Sequence, residues 1–265
     1  MRVSLIITTY NRPDALELVL ESALRQSFRD FEIIVADDGS EEDTKKLVES
    51  FQQKSEIKII HSWQEDLDFR ASMARNRAVA KSSGEHLIFI DGDIVLDRDF
   101  IADHLKVAKK GIFIQGSRVL LGKNLTKEAI EKKIIEFNIF QNDIKNRKNM
   151  IRSKILSGLF SKTTKSLKGI KSCNLSLFRE DFLKVNGFDN QFVGWGREDS
   201  EFVVRLLNSG IKRRNLKFLA TAYHLWHPEN SRKSLQKNDN RLENSIKNSL
   251  TWAEDGIDRF LEENK

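Results

Sequence analysis

Hydrophobic residues fall along the first hundred positions in short unbroken runs that alternate with segments of helical spacing. Val3-Ser-Leu-Ile-Ile7, Phe31-Glu-Ile-Ile-Val-Ala36, Ile57-Lys-Ile-Ile60 and His86-Leu-Ile-Phe-Ile90 are too short for core helices and read as buried strands. Between them, Leu16, Val19, Leu20, Ala23 and Leu24 predict a helix within Ala15 to Gln26, and further helices are expected over Glu42 to Phe51 and Ala71 to Lys81. Strands alternating with helices predict an α/β fold, a Rossmann-like and mainly parallel sheet with helices on both faces. In such sheets ligands bind beyond the carboxyl ends of the strands. Those ends carry Thr8-Thr-Tyr10, Asp37-Asp38 and Asp91-Gly-Asp93, so three polar clusters far apart in sequence are expected to meet in one crevice.

The pattern changes in the second half. A fifth strand, Gly111-Ile-Phe-Ile-Gln115, leads into Gly116-Ser-Arg118. Lys127 to Phe140 is amphipathic and reads as a helix, and Ser153 to Lys168, rich in serine, threonine, glycine and lysine, reads as a mobile loop. Ser172 to Phe178 alternates like a strand, and a short helix is expected from Arg179. Gly187-Phe-Asp-Asn-Gln-Phe-Val-Gly-Trp-Gly-Arg197 then describes a glycine-bracketed aromatic loop, followed by a helix from Glu198-Asp199 to Asn208. Acids in the first turn of a helix are favoured by its dipole, which alone accounts for one of them. Phe218 to His224 is a further strand. Beyond Lys233, Leu242, Ile246, Leu250, Ile257 and Leu261 predict a helical tail that packs on the domain or offers a partner surface.

Composition narrows the chemistry. The 265 residues, 39% of them hydrophobic, suffice for a sizeable core. A single cysteine, Cys173, excludes an internal disulfide and a cysteine-cluster zinc site, which fits a cytoplasmic location. The opening residues read as a strand rather than a signal peptide, and no apolar stretch approaches the roughly 20 residues of a spanning helix. The net charge of +6 implies attraction to anions. Lys123 to Lys168 concentrates it, with 12 Lys and Arg against 4 Asp and Glu, and reads either as a solvated insert or as a contact for an anionic membrane or acidic acceptor.

Asp91 and Asp93 are separated by one glycine, and alternation along an extended chain points both to the same side. Two hard oxygen ligands form part of a Mg²⁺ or Mn²⁺ site that leaves positions open for phosphates. No Gly-X-Gly-X-X-Gly or P-loop stretch follows any strand, which disfavours a dinucleotide or P-loop site. Arg70 and Arg75 are candidate phosphate cations. His224 and His227, three residues apart after a strand, offer a nitrogen ligand to complete an oxygen-rich metal site.

Strand-Thr-Thr-Tyr-Asn-Arg-Pro, strand-Ala-Asp-Asp-Gly-Ser, Ala-Arg-Asn-Arg-Ala and Gly84-Glu-X3-Phe-Ile-Asp-Gly-Asp together resemble the nucleotide-sugar half of a family 2 glycosyltransferase with the GT-A fold. The stretch Gly194-Trp-Gly-Arg-Glu-Asp199 resembles the Gly-Trp-Gly-X-Glu-Asp motif of the galactosyltransferase-like halves of chondroitin polymerases and β1,4-galactosyltransferases. The resemblance implies that Thr8, Tyr10, Asp37 and Asp38 line a uridine site with Arg75 near the nucleotide. It also implies that Asp93, helped by Asp91, binds a divalent metal together with a histidine, best matched by His224 and alternatively by His227. Asp199 is then the base, Glu198 holds the acceptor sugar and Trp195 stacks on it. Family members often have glycine where this chain has Arg197 and an acid where it has Ser200.

The expectation is therefore a GT-A domain over residues 1–232, with a nucleotide-sugar half (1–115), an acceptor half (116–232) holding the basic insert 123–168, and a helical tail (233–265). Its function is inverting, metal-dependent transfer of a hexose or N-acetylhexosamine from a UDP-sugar to a glycan or glycolipid hydroxyl, in bacterial-type surface polysaccharide or lipo-oligosaccharide synthesis. Two rivals are a basic nucleic-acid-binding protein and a sugar-nucleotide nucleotidyltransferase. The first leaves the acid clusters without a role and shows no stacking module, so no nucleic acid is expected as partner. The second lacks the glycine-rich basic loop expected after the first strand.

Overall fold

The structure is a computed structural model that describes residues 1–228 and 231–262. The first four strands, β1 (Val3–Thr9), β2 (Phe31–Asp37), β3 (Ile59–Trp63) and β4 (His86–Asp91), are joined by helices α1 (Pro13–Leu24), α2 (Glu42–Lys54) and α3 (Ala71–Ala80). Pro13 suits the first position of α1, where the missing N–H has no helical partner to lose. The strands pair in parallel in the order β3-β2-β1-β4. Their unbroken apolar runs have a simple cause, burial on both faces. Leu5, Ile7, Ile33, Val35, Ile88 and Ile90 point into one core, while Ile6, Ile34, Ala36, Leu87 and Phe89 point into the other.

After β4 come β5 (Ile94–Leu96), α4 (Phe100–Val107), β6 (Ile112–Gln115), β7 (Val119–Leu121), α5 (Lys123–Lys132), β8 (Ile144–Lys145), α6 (Lys154–Phe160), β9 (Lys162–Thr164), β10 (Leu175–Phe178), α7 (Arg179–Lys184), α8 (Glu198–Asn208), β11 (Lys212–Asn215), β12 (Ala222–His224), α9 (Leu235–Lys247) and α10 (Asp258–Glu262). Antiparallel β10 joins β4 to β6, and β11 and β9 complete an eight-stranded sheet. A second, four-stranded sheet has the order β5-β12-β7-β8. It brings His224 opposite Ile94, beside the Asp91-Gly-Asp93 turn.

Several expectations change. The helix expected over Lys127 to Phe140 begins at Lys123 and stops at Lys132, because Lys133 takes the left-handed conformation at φ 55° and closes the turn. Ser153 to Lys168, expected to be a mobile loop, contains α6 and edge strand β9. Ser153 caps α6 by accepting from the Leu156 N–H at 3.3 Å. Strands β5, β7 and β11 have no counterpart in the sequence reading. The tail is helical and packs on the body: α9 lies against α8, and Asn186 and Asn190 hydrogen-bond to residues between Ala253 and Asp258. Residues 229 and 230 and the end of the expected tail, 263–265, lie outside the described residues.

Candidate active site

The chain turns back on itself between β1 and β4, since β2 and β3 lie on one side of β1 and β4 on the other. A crevice opens at such a reversal. Register places Thr8 beside Asp91 and Thr9 beside Asp37 at the carboxyl ends. Gly92 is required there: its N–H donates to the Thr8 carbonyl at 2.7 Å, and a Cβ would lie 2.9 Å from the Thr9 hydroxyl. The resulting cleft has a volume of about 1020 Å³.

Arg75, buried on α3, is the centre of the cleft's charge network. Its Nε donates to Thr8 Oγ1 at 3.1 Å and one terminal nitrogen to Asp91 Oδ1 at 3.3 Å. The other terminal nitrogen lies 3.8 Å from Glu198 Oε1 and 3.6 Å from Asp199 Oδ1, and the guanidinium sits 5.2 Å from the Phe188 ring centre. One cation thus faces three carboxylates. Burial opposes its charge, but Asp199, Asp91 and Glu198 outweigh that and raise its pKa. Burial pushes Glu198 up to about 7, with Asp199 adding to the rise and Arg75 opposing it. Asp91 is also raised, first by burial.

Asp93 faces elsewhere. Its oxygens lie 3.7 Å from His224 Nε2 and 3.4 Å from His227 Nε2, with Arg12 at 3.9 Å. The three side chains each place a potential ligand atom within 4.8 Å of the others. Asp93 Oδ1 is buried with no hydrogen-bond partner among the described residues, and burial pushes Asp93 up to about 6 and His224 down to about 3. A neutral imidazole with a free lone pair beside an orphaned carboxylate oxygen fits a divalent cation. The histidine alternatives of the sequence are both present. Asp91, expected to share the metal with Asp93, is outside this trio and pairs with Arg75 instead.

Asp38 lines the cleft, but both of its oxygens are engaged, accepting from Gln64 Nε2 at 2.6 Å and the Arg70 N–H at 2.7 Å. Burial still pushes it up to about 6. The resemblance implies that Asp37 lies against the nucleotide too. The structure puts it behind the cleft wall, fully buried, accepting from the Ser40 N–H at 2.8 Å and sitting 2.7 Å from His61 Nε2. Its place is in the turn that positions Asp38. Tyr10 is half exposed at the rim and donates to Asp66 Oδ2 at 2.9 Å.

The Trp195 loop closes the other wall. Gly194, Gly196 and Arg197 all adopt positive φ (79°, 106° and 77°), which explains the glycines and makes Arg197 an unusual occupant. Arg197 pairs with Asp239 on α9. From the same helix, buried Asn238 donates to the carbonyls of Gly196 at 2.9 Å and of Gly194 and Val193 at 3.4 Å. The tail therefore braces the loop from which Glu198 and Asp199 start α8. Asp199 Oδ2 accepts the Ser172 N–H at 2.8 Å, while Oδ1 is buried without a hydrogen-bond partner among the described residues.

Sequence reasoning missed three neighbours. Arg12 lies beside Asp93, and Arg118 lines the cleft with a terminal nitrogen 3.5 Å from Cys173 Sγ. Arg118 follows the expected strand 111–115, so its position at a strand's carboxyl end was the available signal. Cys173 also lines the cleft, where burial and then Asp91 push its thiol up to about 12. It is a neutral thiol rather than a nucleophile.

Residues 4–183 match the sequence model described as Glycosyl transferase family 2. The chain belongs to that family. Residues 159–228 of this family 2 chain also match a second model, described as N-terminal domain of galactosyltransferase. Validoxylamine A glucosyltransferase of Streptomyces hygroscopicus subsp. jinggangensis (strain 5008) is 30% identical over 231 residues, which are 79% of this chain and 52% of that protein. Chondroitin synthase of Escherichia coli is 23% identical over 84% of this chain and 34% of its own length. The chain spans about half or less of these relatives. Among solved structures, S. aureus TarS 1-349 in complex with UDP matches with a TM-score of 0.62 at 18% identity, over 99% of this chain and 70% of that one. The fold is thus the GT-A fold.

Proposed function

We propose that this chain transfers a hexose or N-acetylhexosamine from a UDP-sugar to a glycan hydroxyl with inversion at the anomeric carbon. One observation carries the reading: a single cleft holds both the Asp93-His224-His227 trio and the Glu198-Asp199 pair beneath Trp195. A UDP-sugar is supported by the TarS structures in complex with UDP and UDP-GlcNAc, and in this chain Thr8, Tyr10, Asp38 and Arg75 line the cleft where its nucleotide would lie. A glycan acceptor is supported by the chondroitin synthase and hyaluronan synthase relatives.

Asp93, His224 and His227 would hold the divalent cation. When bound, the cation supplies neutralisation of the charge that develops on the departing diphosphate. Its imidazole-rich donor set suits Mn²⁺ better than Mg²⁺, which takes oxygen ligands. Arg118 and Arg12 add fixed positive charge on the same wall. On the other wall Trp195, 38% exposed, offers a face on which the acceptor sugar stacks. Asp199 takes the proton from the acceptor hydroxyl as that oxygen attacks the anomeric carbon. The Ser172 N–H fixes one of its oxygens and leaves Oδ1 for the proton. Glu198 hydrogen-bonds the acceptor. No covalent intermediate is required, in keeping with a neutral Cys173 thiol.

A second reading exchanges the two acids. A carboxyl whose pKa lies near 7 is well matched to proton transfer at neutral pH, and Glu198 is raised to about that value. The proposal is tested by incubating the chain with a panel of radiolabelled nucleotide sugars and scoring nucleotide release with and without Mn²⁺. Release confined to UDP-sugars and dependent on metal supports it. Indifference to the nucleotide, or full release in excess chelator, refutes it.

A further inference from the structure

No aspartate or glutamate occurs between Asp143 and Glu180, while ten lysines and arginines do. The stretch leaves and returns at the rim of the cleft, since Lys145 and Lys171 both line it. Between those ends it is anchored to the body. Arg152 makes two 2.8 Å bonds to Asp103, the Ser153 N–H donates to the Phe218 carbonyl at 2.9 Å, and the Lys217 N–H donates to Ser161 Oγ at 3.0 Å. Phe160 meets Phe218 with ring centres 5.6 Å apart.

These anchors fix which side of α6 faces outward. Ser157 is buried toward the protein. Ile155 and Leu159, four apart and therefore on one helical face, are 77% and 68% exposed, and Phe160 beside them is 54% exposed. Exposed lysines 148, 154, 162, 165 and 168 surround them along the chain. Large apolar side chains held outward among cations gain nothing from water, and a soluble polyanion would use the cations alone. Anionic lipid uses both, with phosphate headgroups pairing with lysine and acyl chains receiving the apolar tips.

We propose that residues 144–171 form a docking surface for an anionic lipid bilayer, with Ile155 and Leu159 entering the headgroup layer. Docking places the mouth of the cleft at the lipid surface through Lys145 and Lys171. The inference does not depend on sugar transfer, because binding is measured without activity.

The test is co-sedimentation of the full chain with vesicles of phosphatidylcholine alone and of phosphatidylcholine mixed with phosphatidylglycerol. The chain is expected to pellet with the mixed vesicles, less so as salt rises, and not with the neutral ones. Ile155→Ser with Leu159→Ser should lower partitioning on the order of tenfold or more, from the apolar area no longer buried. The same double variant should bind polyaspartate as the parent does and should keep its melting temperature and its acceptor-independent UDP-sugar hydrolysis. Unchanged vesicle binding by the double variant, or equal binding to neutral and mixed vesicles, overturns the proposal. Loss of vesicle and polyaspartate binding together also overturns it, since the apolar tips then serve no lipid-specific purpose.

Discussion

Replacing Arg205 by methionine removes the cation of a pair that has no access to water. Arg205 is fully buried and Glu201 nearly so, and two bonds of 2.7 and 2.8 Å join them one turn apart on α8. Arg205 also donates to the carbonyls of Val185 at 2.5 Å and Gly187 at 2.7 Å, fixing the turn that precedes the Trp195 loop. Methionine fills much of the volume but leaves a buried carboxylate and two carbonyls short of donors. Breaking one side of a buried pair costs roughly 3–5 kcal/mol. For 265 residues, unfolding entropy scales to about 0.55 kcal/mol per kelvin, so the melting temperature should fall by roughly 5–10 °C. Adding Glu201→Leu should recover only part of the loss: the charge is gone, but each orphaned carbonyl still costs about 1 kcal/mol or more. Ser245, which donates to Glu201 at 3.1 Å, loses its acceptor as well. Thermal and urea unfolding of the three proteins measure both steps. A single variant that melts within a degree or two of the parent would mean that Glu201 is not left unpaired in a dry site, and complete recovery in the double variant would mean that the two carbonyls do not depend on Arg205.

Asp93→Asn should abolish metal-dependent turnover and weaken Mn²⁺ binding measured by calorimetry, and Mn²⁺ should restore the chelated parent better than Mg²⁺; tight Mn²⁺ binding by the variant would contradict the assignment. Asn238→Ala removes the donor that braces three loop carbonyls, so acceptor KM should rise several-fold with donor hydrolysis little changed, at a stability cost of about 1–3 kcal/mol. An unchanged KM would separate the tail from the acceptor wall. Glu198 has a folded pKa of about 7 against an ordinary 4.5, so its contribution to stability is present below pH 4.5 and is lost as pH rises through 7. Glu198→Gln should therefore gain stability relative to the parent between pH 5 and pH 8, by at most about 1.4 kcal/mol per pH unit; a difference independent of pH would show that burial does not penalise this carboxylate.

The parallel half of the fold was legible because β1, β2 and β4 are buried on both faces and so appear as unbroken apolar runs. Strands β5 and β7, three residues each, are too short to show a period, and β11 reads Lys-Arg-Arg-Asn. Its place in the sheet comes from pairing with β6 and β9, and Arg213 ends at the carbonyls of Ser166 and Lys168. Neither is local information. The acids of the cleft were legible as strand and helix ends, but their partners were not. Alternation put Asp91 and Asp93 on one side, whereas the turn at Gly92 sends Asp91 to Arg75 and Asp93 to the histidines. The adjacent Asp37 and Asp38 look equivalent in sequence. The local bond from the Ser40 N–H could go to either reading, and it is the tertiary position of His61 that marks Asp37 as a buried support.

If Asp199 removes the acceptor proton while Glu198 holds the acceptor, single-turnover kinetics of Asp199→Asn and Glu198→Gln, with saturating UDP-sugar and the acceptor varied through saturation, separate the two roles. Asp199→Asn should lower the rate at saturating acceptor on the order of 10²- to 10⁴-fold with UDP affinity unchanged, and Glu198→Gln should mainly raise acceptor KM. Near-parental turnover in Asp199→Asn, with the large loss falling on Glu198→Gln, would contradict this and assign the base to Glu198.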